Sequence, residues 1–82
     1  MALTDVQIRR IYGARIRQAR ISAELSGYEV ARRLGISPQA FYGWENGHGS
    51  PTDGRRLELA KVLGVDHREL FGLDGELDGE VA

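Results

Sequence analysis

Apolar residues return along this chain at the three- and four-residue spacing of helices, and polar or glycine-bearing breaks divide them into five segments. The first segment predicts a helix from Asp5 to Ala23, on which Ile8, Ile11, Tyr12, Ile16 and Ala19 form one apolar stripe. Thr4 and Gln7 have the spacing of a capping box, in which each side chain satisfies a backbone N–H of the other. Gly13 weakens the middle of that helix. The pattern continues with helices over Gly27 to Leu34, Pro38 to Glu45, Thr52 or Asp53 to Leu63, and Asp66 to Phe71. The expected fold is therefore all-α, a compact bundle of five short helices.

The second and third segments carry the most information. Between Ser26 and Gly47 the chain reads SGYEVARRLGISPQAFYGWENG. Ala31 is small where two helices must cross closely, and Gly35 occupies a turn whose left-handed backbone is costly for a residue with a Cβ. Val30, Leu34, Ile36, Phe41 and Trp44 point inward from the two helices and the turn, with no polar residue interrupting the set. Ser37 is placed to cap the next helix, Pro38 fits its first position because no N–H is needed there, and Asn46-Gly47 supplies the stop. These features at this spacing are those of a helix-turn-helix.

On these residues the chain resembles the phage repressor and Cro type of helix-turn-helix family, an XRE-like DNA-binding domain. The resemblance covers about residues 13 to 71, with GARIRQAR at Gly13 to Arg20 as its opening phrase and LAKVLGVDHRELF at Leu59 to Phe71 as its closing one. It implies a lambda-repressor-like domain that inserts its third helix into the major groove of a double-stranded operator. Base contacts then fall on Pro38, Gln39, Tyr42 and Gly43. The Gln39 amide can pair with the N6 and N7 edge of adenine. Tyr42 reads equally as a reader of bases or phosphates and as a half-buried packing residue. Gly43 stands where relatives often carry a long base-reading side chain, so either the backbone approaches DNA there or base readout is sparse and DNA shape contributes. We favour sparse readout.

Backbone contacts fall on Ser26, Gly27, Tyr28, Ser37, Ala40, Asn46 and His48, largely through helix N-termini and the loop after the third helix. Relatives commonly have glutamine where Gly27 stands, and the loop after Asn46 lacks their lysines and arginines. The resemblance also pairs Arg20 with Glu45 in a buried ion pair that joins the first helix to the end of the third.

Composition narrows the field further. The chain of 82 residues is large enough for one domain and one modest core, too small for a second, substrate-holding lobe. It has no cysteine, and His48 and His67 stand far apart with no ligand spacing around them, so no metal and no cofactor is expected. Nor does any serine or histidine arrangement resemble a nucleophile with its base, and no enzyme activity is expected. With no membrane-spanning run and no signal peptide evident, the expected compartment is the cytoplasm.

The net charge of −1 hides an asymmetry: four acids, Asp74, Glu76, Asp78 and Glu80, fall in the last ten residues. We expect residues 1–72 to form the DNA-binding domain and 73–82 an acidic, disordered tail. Without that tail the domain carries +3, a mild footprint for nucleic acid. A single such domain reads few base pairs, so a homodimer on DNA is expected. Val65, His67, Leu70 and Phe71 are the candidate dimer surface, with closure of the core the equal alternative for Leu70 and Phe71. The rival function is a protein-interaction module, antitoxin-like, that keeps the fold and meets its partner through the acidic C-terminal half.

Overall fold

A computed structural model describes residues 2–73 of the chain, and the acidic tail from Asp74 onward lies outside the described residues. Five helices follow one another: α1 (Asp5–Ser22), α2 (Gly27–Leu34), α3 (Pro38–Glu45), α4 (Asp53–Leu63) and α5 (His67–Phe71). Their ends follow from local chemistry. The capping box closes α1 as expected, with the Gln7 N–H donating to Thr4 Oγ1 at 3.1 Å and the Thr4 N–H to Gln7 Oε1 at 2.8 Å. Ser26 and Ser37 accept from the Glu29 and Ala40 N–H groups, at 3.0 and 3.1 Å, and so start α2 and α3. Gly35 and Gly64 stop α2 and α4 in the left-handed conformation, with φ of 70° and 72°.

Small departures from the expected bounds have the same kind of cause. Helix α1 ends one residue early, with Ala23 as its C-cap. Glu24 beyond it takes φ of 59°, which lets the Leu25 N–H reach back to the Arg20 carbonyl at 3.2 Å. Asp66 precedes α5 as its cap, its carboxylate accepting from the Arg68 N–H at 2.8 Å. The Arg68 side chain and backbone both bond that carboxylate and hold its pKa well below the ordinary range, at about 2. Thr52 precedes α4 without a side-chain cap bond.

The core draws on every helix. Ile16, Val30, Ala31, Phe41 and Leu59 are wholly buried, with Tyr12, Leu34, Ala60, Leu63, Leu70 and Phe71 around them. Phe41 is the largest of the fully buried side chains. Full burial of each such large apolar side chain contributes about 1.5–3 kcal/mol. Ile36 and Trp44 sit at the margin of this core, half-buried against it, and Trp44 meets the Phe41 ring edge-on at 6.2 Å. Both point inward as expected, at the edge of the core rather than its centre. Ile11 is likewise only half-buried.

Helix α5 follows the second of the two readings left open for it, closure of the core. Leu70 is 1% and Phe71 8% exposed, and the Phe71 ring meets Tyr12 of α1 edge-on at 5.0 Å. Five residues of helix cannot stand alone, so α5 is held by laying both large side chains inside. Of the four residues considered for a dimer surface, these two belong to the core. Val65 is half-buried and His67 exposed.

Candidate nucleic-acid interface

Helix α3 buries only Phe41 fully, so most of its surface is free. Pro38, Gln39, Tyr42, Gly43, Asn46 and His48 line a single shallow groove along that surface. Positions 38, 39, 42, 43 and 46 recur at the three- and four-residue spacing that puts side chains on one helical face. His48 joins them because the chain turns back at Gly47, where φ is 76° and the His48 N–H donates to the Gly43 carbonyl at 2.8 Å. Gln39 is exposed. No Cβ contact would arise at Gly43, so the backbone is open to close approach there.

The second part of the surface is the start of α2. Ser26 and Tyr28 are exposed, whereas Gly27 is buried under the end of the Tyr42 ring. A Cβ at Gly27 would lie 2.4 Å from Tyr42 Cζ and 2.5 Å from its hydroxyl. Glycine here therefore makes room for the phenol, which places a hydroxyl beside the α2 N-terminus. The packing reading of Tyr42 holds in part: its ring packs on Gly27 and edge-on to Phe41 at 5.9 Å, while 39% of the residue remains exposed. Of the remaining backbone candidates, Ser37 has its hydroxyl engaged as the α3 cap and Ala40 is exposed. Tyr28 and Pro38 line a smaller hollow with Arg32 and Ile36. Arg32 and Arg33 share Glu29, at 2.8 and 3.3 Å, and the Arg32 hydrogen bonds hold that carboxylate below its ordinary pKa. Much of the charge on α2 is thus compensated on the helix itself.

The orientation of α3 is set from behind. Arg20 Nε donates to Glu45 Oε2 at 2.6 Å, Nη2 to Oε1 at 3.3 Å, and Nη1 to the Leu25 carbonyl at 3.1 Å. One guanidinium thereby ties α1, the turn before α2 and the end of α3. The side chains are 15% and 4% exposed, and the Glu45 hydrogen bond raises the Arg20 pKa against the opposing effect of burial. Two turns earlier on α1, Gly13 lets the α3 backbone approach: a Cβ there would lie 2.4 Å from the Glu45 carbonyl oxygen.

A helix-turn-helix family model matches residues 16–70, well over half of the chain. The chain belongs to the XRE-type helix-turn-helix family. No curated protein and no solved structure matches it. The family is one of DNA-binding domains, so this helix-turn-helix protein is a DNA-binding regulator of XRE type and its partner is double-stranded DNA. No helix among the described residues is long and apolar enough to cross a membrane, and they contain no cluster of metal-ligating side chains.

Two features of this helix-turn-helix were not read from the sequence. Gly13 was seen as a weak point of α1, although a glycine inside a helix also signals close approach of another backbone. Arginines of α1 and α4 gather around the loop after α3. Arg9 Nε donates to the Gly47 carbonyl at 3.4 Å, while Arg56 reaches the Pro51 carbonyl and the Ser50 hydroxyl at 3.3 and 3.4 Å. Their role depends on contacts 38 and 6 or fewer residues apart in sequence, the longer of which no local pattern announces.

Proposed function

We propose that this regulator is a repressor of Cro type, which occupies operator DNA in the cytoplasm as a two-fold dimer and excludes the transcription machinery. The observation that carries the reading is the single exposed face of α3, on which Pro38, Gln39, Tyr42, Gly43, Asn46 and His48 line one groove. In this reading Gln39 reads adenine through the N–H and C=O of its side-chain amide, Tyr42 reaches a base edge or phosphate, and Pro38 and Gly43 supply close apolar and backbone contact. Ser26, Gly27, Tyr28, Ser37, Ala40, Asn46 and His48 position the domain on the phosphates. Readout is sparse, since Gln39 is the one groove residue assigned a bidentate base contact, and DNA shape supplies the rest of the specificity. Val65, half-buried at the edge of the core, and His67, exposed, are the dimer contacts.

Selection of bound duplexes from a random library tests this reading. An enriched palindrome is expected, and Gln39→Ala should relax preference at one base position in each half-site, by about 1–3 kcal/mol of discrimination. Equally weak binding to every sequence would discard the operator reading, in favour of a protein partner met through the acidic half.

A further inference from the structure

The loop that ends α3, from Asn46 to Pro51, contains neither lysine nor arginine. It is nevertheless embedded in positive charge. Gly47 is buried against α1: a Cβ there would lie 3.0 Å from Arg10 Cγ and 3.3 Å from Arg10 Cα, and the Gly47 carbonyl accepts from Arg9 Nε. Asn46 and His48, on either side of Gly47, are exposed and line the α3 groove. The Arg10 side chain leaves α1 from the same spot and is itself exposed. Among the described residues, no carboxylate forms an ion pair with Arg9 or Arg10. Both also precede the segment that the family model matches, 16–70.

We infer that Arg10 is a DNA-phosphate contact that supplies from α1 the charge missing from the loop after α3, with Arg9 as the positioning residue that holds the loop against it. This rests on the reading of α3 as the groove-facing helix. A helix of eight residues is about 12 Å long, close to the width of the major groove, so a phosphate strand passes near its end. The exposed side chains of Asn46 and His48 border that strand but carry no fixed charge, and their backbone N–H groups are already donated to the Tyr42 and Gly43 carbonyls. The uncompensated guanidinium of Arg10, rooted beside Gly47, supplies it. Arg9, half-buried and bonded to the Gly47 carbonyl, fixes the distance between loop and helix.

The test is the salt dependence of binding to the best duplex from the library, measured for the full chain, Arg10→Gln and Arg10→Lys, with thermal melts of each. Position 10 is exposed and glutamine is a good helix former, so the melts should coincide. Arg10→Gln should bind every duplex severalfold more weakly, with unchanged base preference. The slope of log affinity against log salt should shrink by about 0.9 per chain, about 1.8 for a dimer, and Arg10→Lys should restore most of it. An unchanged slope in Arg10→Gln, or a change in base preference instead, overturns the assignment of Arg10 while leaving the DNA reading intact. Failure of the unaltered chain to bind any duplex overturns both together.

Discussion

At the scale of single residues, Gly13 decides how closely α1 and α3 can cross. An added methyl group would meet the carbonyl oxygens of Glu45 and Trp44 at 2.4 and 2.6 Å, and backbone atoms cannot swing aside as a side-chain end can. Two effects oppose each other in Gly13→Ala. Helix propensity favours alanine by about 1 kcal/mol, and overpacking of a tight site costs about 1–3 kcal/mol. Contact with two carbonyls puts the site at the upper end, so a net loss of about 1–2 kcal/mol is expected in urea denaturation. A higher denaturation midpoint would show instead that α3 retreats freely. The contrast with Ala31, Gly35, Ser37 and Pro38 explains which residues were legible. Their roles come from neighbours a few positions away, so the sequence displays cause and effect side by side. The cause of Gly13 lies on another helix, at Glu45.

At the scale of elements, the position of α3 rests on the fork between Arg20 and Glu45. Its attraction is large because both side chains are mostly withdrawn from water, and the same withdrawal makes a lone partner costly. Arg20→Met is therefore expected to destabilise the fold by about 3–5 kcal/mol, since the Glu45 carboxylate would keep its burial and lose its partner. Replacing both, as in Arg20→Met with Glu45→Leu, should recover most of that loss. Recovery of stability without recovery of DNA affinity would identify the pair as a device for aiming α3. A double variant as unstable as Arg20→Met alone would refute the argument from the unpaired carboxylate. The helix bounds were legible because their caps are local: Thr4 with Gln7, Ser26, Ser37, and glycines at 35 and 64. The division of labour inside α5 was not. Leu70 and Phe71 look the same in sequence whether they meet Tyr12 of α1 or a second chain, and only the packing of α1 against α5 settles it.

At the scale of the whole molecule, charge is distributed against the function. All eleven lysines and arginines precede residue 74, where they meet eight acids, and the remaining four acids follow in Asp74, Glu76, Asp78 and Glu80. The first 73 residues thus carry +3 and the entire chain −1. Long-range attraction to a polyanion depends on this total, while sequence preference depends on the α3 face, so the two should separate in experiment. Deleting residues 74–82 is expected to accelerate association with any duplex and to raise affinity most at low salt, leaving the preferred base sequence unchanged. The effect should fade as ionic strength approaches about 1 M, where the Debye length falls to about 3 Å and distant charges no longer reach the DNA. Stopped-flow association at two salt concentrations, comparing the deleted and full chains, measures this directly. Equal rates at low salt would mean that the four acids do not affect the field at the interface, and that the arginines of α1 and the α3 face alone determine the encounter.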